Sequence, residues 1–258
     1  MKKTVLILIL FKMLSADDYT MLSMFSPSSL SSRQICFSAR HRFYGDIFEK
    51  PLSSFFGMDE GANIMMSLRY HPFHGLEVKS SYTRLRKEKT LGLAYRIERD
   101  NIPLKAQVDI EYFTYSEPGL IEEKRSNTIT VLSVRSDPVW DRLGGVLNFG
   151  YDGYFKRTVI ALGLFFNIYD DFGMFESIDG LLEYYPVTDR KTQNEKLVRY
   201  ILPSDVVSLG IKMDTYGHRF LFIFSKSTHF HPRWIGLGAD EDSFWKLGFN
   251  IERILEIY

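Results

Sequence analysis

Leu91-Gly92-Leu93-Ala94-Tyr95-Arg96-Ile97-Glu98 and, shortly after it, Leu104-Lys105-Ala106-Gln107-Val108-Asp109-Ile110-Glu111-Tyr112 alternate large apolar side chains with small or polar ones. A period of two places the two sets on opposite faces of a β-strand. Wound as a helix, the same residues would scatter Lys105, Asp109 and Glu111 around the axis and leave no apolar stripe. The segment upstream keeps the rhythm, with Leu76, Val78 and Tyr82 set against Glu77, Lys79, Ser81 and Thr83.

Extended in both directions, the pattern predicts twelve strands near 33–44, 62–71, 75–84, 90–98, 103–114, 126–136, 143–151, 157–168, 177–186, 205–214, 218–226 and 245–256. Strand 218–226 departs from it, because Phe220, Phe222 and Phe224 oppose the equally apolar Leu221 and Ile223. The four longest connections, 45–61, 115–125, 187–204 and 227–244, all follow odd-numbered strands. Transmembrane barrels of the bacterial outer membrane show this asymmetry, and an even strand count returns both termini to the periplasm.

Composition fits that setting. The 258 residues include 21 Phe, 15 Tyr and 3 Trp, and Tyr70, Tyr82, Tyr95, Tyr112, Tyr151 and Tyr184 fall on or near strand ends, where interfacial girdles form. Balanced charge, 32 basic against 32 acidic residues, argues against a nucleic-acid partner. The lone Cys36 excludes an internal disulfide and a Cys-rich zinc module. No apolar run reaches the roughly 18 residues of a membrane-spanning helix. Residues 1–16 read as a signal peptide, with Lys2 and Lys3 before the run Val5 to Phe11 and Ala16 at the cut. Its removal takes Lys2, Lys3 and Lys12 and no acid, leaving a formal charge of −3 on a single barrel domain, 17–258.

A soluble barrel also alternates, but its apolar face points inward and must be filled. Twelve strands would leave an apolar cavity that this chain offers no spare segment to plug, whereas lipid outside and polar groups inside satisfy the same faces. The expected fold is therefore all-β, a closed antiparallel up-and-down transmembrane β-barrel of about 12 strands.

His41-Arg42-Phe43-Tyr44-Gly45-Asp46, followed by Phe55-Phe56-Gly57-Met58-Asp59-Glu60-Gly61-Ala62-Asn63-Ile64, resembles the opening elements of a bacterial domain-of-unknown-function family of predicted outer-membrane β-barrels. Leu209-Gly210-Ile211-Lys212-Met213-Asp214-Thr215-Tyr216-Gly217-His218-Arg219-Phe220 and Gly248-Phe249-Asn250-Ile251-Glu252-Arg253 resemble its closing hairpin and last strand. The resemblance implies architecture and place, the cell outer membrane, but no chemistry. It singles out His41, Arg42 and His218.

On the same phasing the inner face carries Lys79, Arg96, Lys105, Arg135, Arg157, Lys212 and Lys246 against Glu77, Glu98, Asp109, Glu111, Asp179, Glu183, Asp214 and Glu252. Glu77, Lys79, Arg96, Glu98, Lys105, Asp109, Glu111 and Arg135 are the lumen-lining candidates. Their mixed signs favour cross-strand ion pairs that narrow or close the lumen over a strongly selective pore. Loop 45–61, with Phe48, Leu52, Phe55 and Phe56, is expected to fold inward as a constriction, bind a partner or form a short rim helix. His229-x-His231 lacks a third metal ligand and reads as exposed loop. No nucleophile element, phosphate loop or EF-hand pattern occurs, so no catalytic residue, metal or cofactor is assigned and the chain reads as a non-enzyme.

The functional expectation is a narrow porin-like conduit for a small polar solute. A non-conducting barrel that binds an envelope partner or lipid is the alternative, and a barrel lipid hydrolase the third. Expected partners are outer-membrane lipid and lipopolysaccharide, and the barrel-assembly machinery through the last strand ending at Tyr258.

Overall fold

The computed structural model describes residues 21–27, 30–49, 51–98, 102–116, 126–140, 142–188, 201–202, 204–240 and 244–257. The signal segment 1–16 and Tyr258 lie outside the described residues.

Twelve antiparallel strands close into one barrel. They are β1 (Gln34–Phe43), β2 (Ala62–Phe73), β3 (Leu76–Thr83), β4 (Glu88–Glu98), β5 (Leu104–Tyr115), β6 (Ser126–Ser136), β7 (Leu143–Asp152), β8 (Arg157–Phe172), β9 (Phe175–Tyr185), β11 (Val206–Thr215), β12 (His218–Ser225) and β14 (Lys246–Glu256). The two-residue strands β10 (Ile201–Leu202) and β13 (Ala239–Asp240) pair with each other in a sheet of their own. β1 closes the ring between β2 and β14, with Gln34 opposite both His71 and Glu256. Closure leaves none of the twelve barrel strands with an unpaired edge, as the hydrocarbon layer demands.

At one end the strands are joined by short connections, and the other end carries the long ones together with the short links 84–87 and 153–156. His74-Gly75 and Tyr216-Gly217 make two-residue hairpins in which the glycines take φ of 81° and 93°. The connection expected at 169–176 shrinks to Gly173-Met174, because β8 and β9 continue pairing as far as Phe172 and Phe175.

The faces are inverted relative to a soluble protein. Leu91, Leu93, Ile110, Phe149 and Phe222 stand exposed on the outer surface, while Gln107, Asp109, Ser133, Asn148 and Asn250 are buried inside. An apolar belt around the whole ring is the surface that lipid covers. No helix among the described residues is long and apolar enough to cross a membrane; the strands do so.

Candidate functional site in the barrel lumen

Residues 21–27 run inside the barrel, and Leu30 is buried with them. The segment leaves the lumen at the short-turn end, where the Ser31 amide donates to Gln34 Oε1 at 2.8 Å and Arg135 donates to the Pro27 carbonyl at 3.4 Å. Midway, Asn148 grips Phe25 twice, accepting from its amide at 2.9 Å and donating to its carbonyl at 2.7 Å. Further in, Glu183 Oε1 accepts from the amides of Ser23 and Met24 at 2.8 and 3.0 Å. From the opposite wall Arg42 Nη2 donates to the Leu22 carbonyl at 3.2 Å and to Ser23 Oγ at 3.4 Å. A buried stretch outside any strand needs such partners for its backbone.

A second filler descends from the long-loop end. Residues 226–240 fold into the barrel around one helical turn, Pro232–Ile235, whose four side chains are all buried. Asn63 Nδ2 donates to the Thr228 carbonyl at 2.9 Å, Trp234 Nε1 donates to Glu88 Oε2 at 2.8 Å, and the Arg233 guanidinium lies 3.4 Å from the Phe113 ring centre. The two fillers meet where Phe25 stands edge-on to His231 at 5.3 Å, and Phe230 lies under the Arg42 guanidinium of the wall at 4.9 Å.

Three expectations are corrected here. The chain does own a segment to fill its lumen, and what assigns the outer face to lipid is that face's own exposed apolar belt. Loop 45–61 is not the constriction: Phe48 and Leu52 are 71% and 86% exposed, and the loop ends in a rim 3₁₀ turn, Met58–Glu60. Loop 226–240 takes that role because its aromatic and aliphatic residues find an apolar cage in Phe113, Tyr115, Tyr154 and Phe155. Nor are His229 and His231 exposed. His229 stacks on Trp234 at 5.5 Å, and burial together with the neighbouring Arg86, Arg233 and Lys246 pushes its pKa well down, keeping it neutral. His231 pairs through Nε2 with Glu111 at 2.9 Å.

The inner wall has two halves. On β7–β12, Val146, Ala161, Phe165, Leu181, Leu221 and Ile223 form one apolar cluster with Met21, Leu22 and Met24 of the N-terminal segment. This explains why strand 218–226 is apolar on both faces: one faces lipid and the other the plug. A Cβ on Gly163 would come within 2.4 Å of Met21 and 2.9 Å of Met24, and the three nearest atoms it meets all belong to the plug. Gly163→Phe should therefore evict residues 21–27 while leaving the barrel folded. Limited proteolysis would then cut that segment, and heat-modifiable gel mobility would be unchanged.

On β1–β5 the wall is polar and borders a cavity of about 100 Å³ beside the plug. The lumen-lining candidates lie on this inner face or at its short-turn end. Lys79 bonds Asp109 and sits 3.5 Å from Glu77; Gln107 donates to both Asp109 oxygens at 3.1 Å. Arg96 pairs with Glu98 at 3.5 Å, and half-buried Lys105 stands opposite Glu98 and Arg135. Across the barrel Lys212 bridges Asp179 and Asp214, each at 2.9 Å.

The residues singled out by family resemblance part company. Arg42 is buried and clamps the plug. His41, one residue earlier, faces outward and stacks on Phe249 at 4.4 Å, since adjacent strand residues point to opposite faces. His218 sits at the short-turn rim, 2.8 Å from Arg253. Sequence reasoning missed Asn148, Asn250 and the plug itself; the small inner residues Gly163 and Gly210, with Leu221 and Ile223, were the available signal.

Residues 18–127 match the family model "Membrane bound beta barrel domain (DUF5777)". That fits the resemblance seen at residues 41–70, and the matched region takes in the plug, Arg42 and the polar wall β1–β5. Among solved structures, the chain is similar to the KdgM porin at 10% identity and a TM-score of 0.49, over 87% of this chain and 99% of that one. It is similar to the NanC porin at 9% identity and 0.46, over 86% and 100%. LpxR from Salmonella typhimurium gives 11% and 0.44, over 85% and 99%. No curated protein matches the sequence.

Proposed function

We propose that this membrane β-barrel is an outer-membrane conduit for a small polar solute, held shut at rest by its own N-terminal segment. The observation that carries the reading is the division of the lumen. One half is sealed by apolar packing, while the other keeps a polar wall and an open cavity beside a plug fixed only by hydrogen bonds and side-chain packing. A barrel built solely as a solid post has no need of that second half. On this reading both termini are periplasmic and the long loops face outward. Lipid and lipopolysaccharide surround the apolar belt, and the assembly machinery reads the final strand.

The test is conductance in a planar bilayer, using the full exported chain refolded in detergent. The wild type should give a quiet baseline with rare, brief, salt-dependent steps, and loosening the plug should make them frequent. Silence from both the wild type and the plug-loosened Arg42→Ala variant would overturn the conduit and leave a solid barrel that binds a partner.

A further inference from the structure

The whole inner face is balanced in charge, but the cavity is not. Arg40 of β1, Arg69 of β2 and Lys79 of β3 come to its surface. Among the described residues the one acid there is Glu111, and His231 already holds it at 2.9 Å. The carboxylates that serve these cations stand behind them. Glu252, fully buried, meets Arg40 Nη2 at 3.3 Å and Arg69 Nη2 at 3.5 Å while also taking Arg219 at 3.1 Å. Asp109 and Glu77, equally buried, take Lys79 from the wall side. A molecule entering the cavity therefore meets cationic groups first.

Arg40 has donor capacity to spare. Among the described residues its Nε is buried with no hydrogen-bond partner, and its one ion pair is the 3.3 Å contact to a carboxylate it shares. A buried guanidinium N–H left unmade is costly, and the guanidinium fork matches two oxygens of a planar or tetrahedral oxyanion. The hydroxyls of Ser67 and Ser81 lie along the same wall. About 100 Å³ is room for a small solute.

We infer that this cavity is a binding site for a small oxyanion, a carboxylate or a phosphate, seated against Arg40 and drawn in by Arg69 and Lys79. The site deepens the conduit reading by naming the class of solute, yet binding can be measured without any current.

Titration calorimetry on the refolded full chain would use acetate, inorganic phosphate and, as a neutral isostere of acetate, acetamide. At least one anion should bind while acetamide does not, and which anion binds separates the carboxylate source from the phosphate source. Arg40→Gln should weaken binding at least tenfold, and Arg40→Lys should restore part of it, with folding of both confirmed by heat-modifiable mobility. Reversal potentials of the plug-loosened Arg42→Ala barrel should show anion preference that falls several-fold in Arg42→Ala/Arg40→Gln. Absence of anion binding, equal binding of acetamide, or affinity unchanged in Arg40→Gln overturns the site. Current without binding defeats this inference and leaves the conduit standing. Binding without current does the reverse.

Discussion

Arg42→Ala should raise the open probability of the barrel by about tenfold or more. Arg42 is 1% exposed and donates to Leu22, Ser23, Asn250 and its neighbour's carbonyl, so its guanidinium ties plug to wall in the driest part of the lumen. Removing it strands the Leu22 carbonyl and leaves a void under Phe230. Leaving buried acceptors without their charged donor costs about 1–3 kcal/mol, and each 1.4 kcal/mol is tenfold in an equilibrium. That cost falls on the docked plug and not on the β-ladder, so the barrel persists while the segment leaves. Glu183→Gln should move in the same direction with a smaller effect, since an amide oxygen still accepts from Ser23 and Met24 but without charge. Single-channel recording and protease cutting within residues 21–27 should rise together. A wild-type baseline in Arg42→Ala, with the segment still protected, would show that the clamp has been misread.

The second large effect belongs to the lipid face. Leu93→Arg places a charge where the side chain is now 55% exposed on the outer wall, and should cost about 2–4 kcal/mol at mid-bilayer depth. Val108, paired with Tyr95 on the neighbouring strand and also outward, should behave alike. At Gln107, one residue away and facing the lumen, the same substitution meets Asp109 and should cost less than at either. Denaturant titration of the barrel in lipid vesicles reads all three. Equal losses would mean that the outer face does not see hydrocarbon.

The strands were legible because lipid and lumen impose an alternation on most of them, and strands 91–98 and 104–112 carry it without a break. Which side faced lipid was legible too. The plug was not. Met21-Leu22-Ser23-Met24-Phe25-Ser26 has no periodicity, because it is held by backbone groups reaching Glu183, Asn148 and Arg42, and such contacts leave no repeat in the sequence. Its imprint fell on the wall: a glycine at 163 where a side chain would be expected, and Leu221 and Ile223 where polar residues would be. Loop 45–61 misled for the opposite reason. Its Phe and Leu residues suggested an interior, while the loop that enters carries the residues that complement the cage, Trp234, Arg233 and Phe230. His41 and Arg42, adjacent in the family element, could not share a site once the strand put them on opposite faces.

The contact between Ser23 and Glu183 bridges 160 residues, and that between Arg42 and Asn250 bridges 208. The plug is thus among the first parts of the barrel domain to be synthesised and among the last to find its anchors. Strand β1 must stay unzipped from β14 until that last strand arrives, and closing the seam completes the clamp at the same moment. The bond to Asn250 that steadies Arg42 therefore forms only when the seam closes, so ring closure and the finishing of the clamp are coupled.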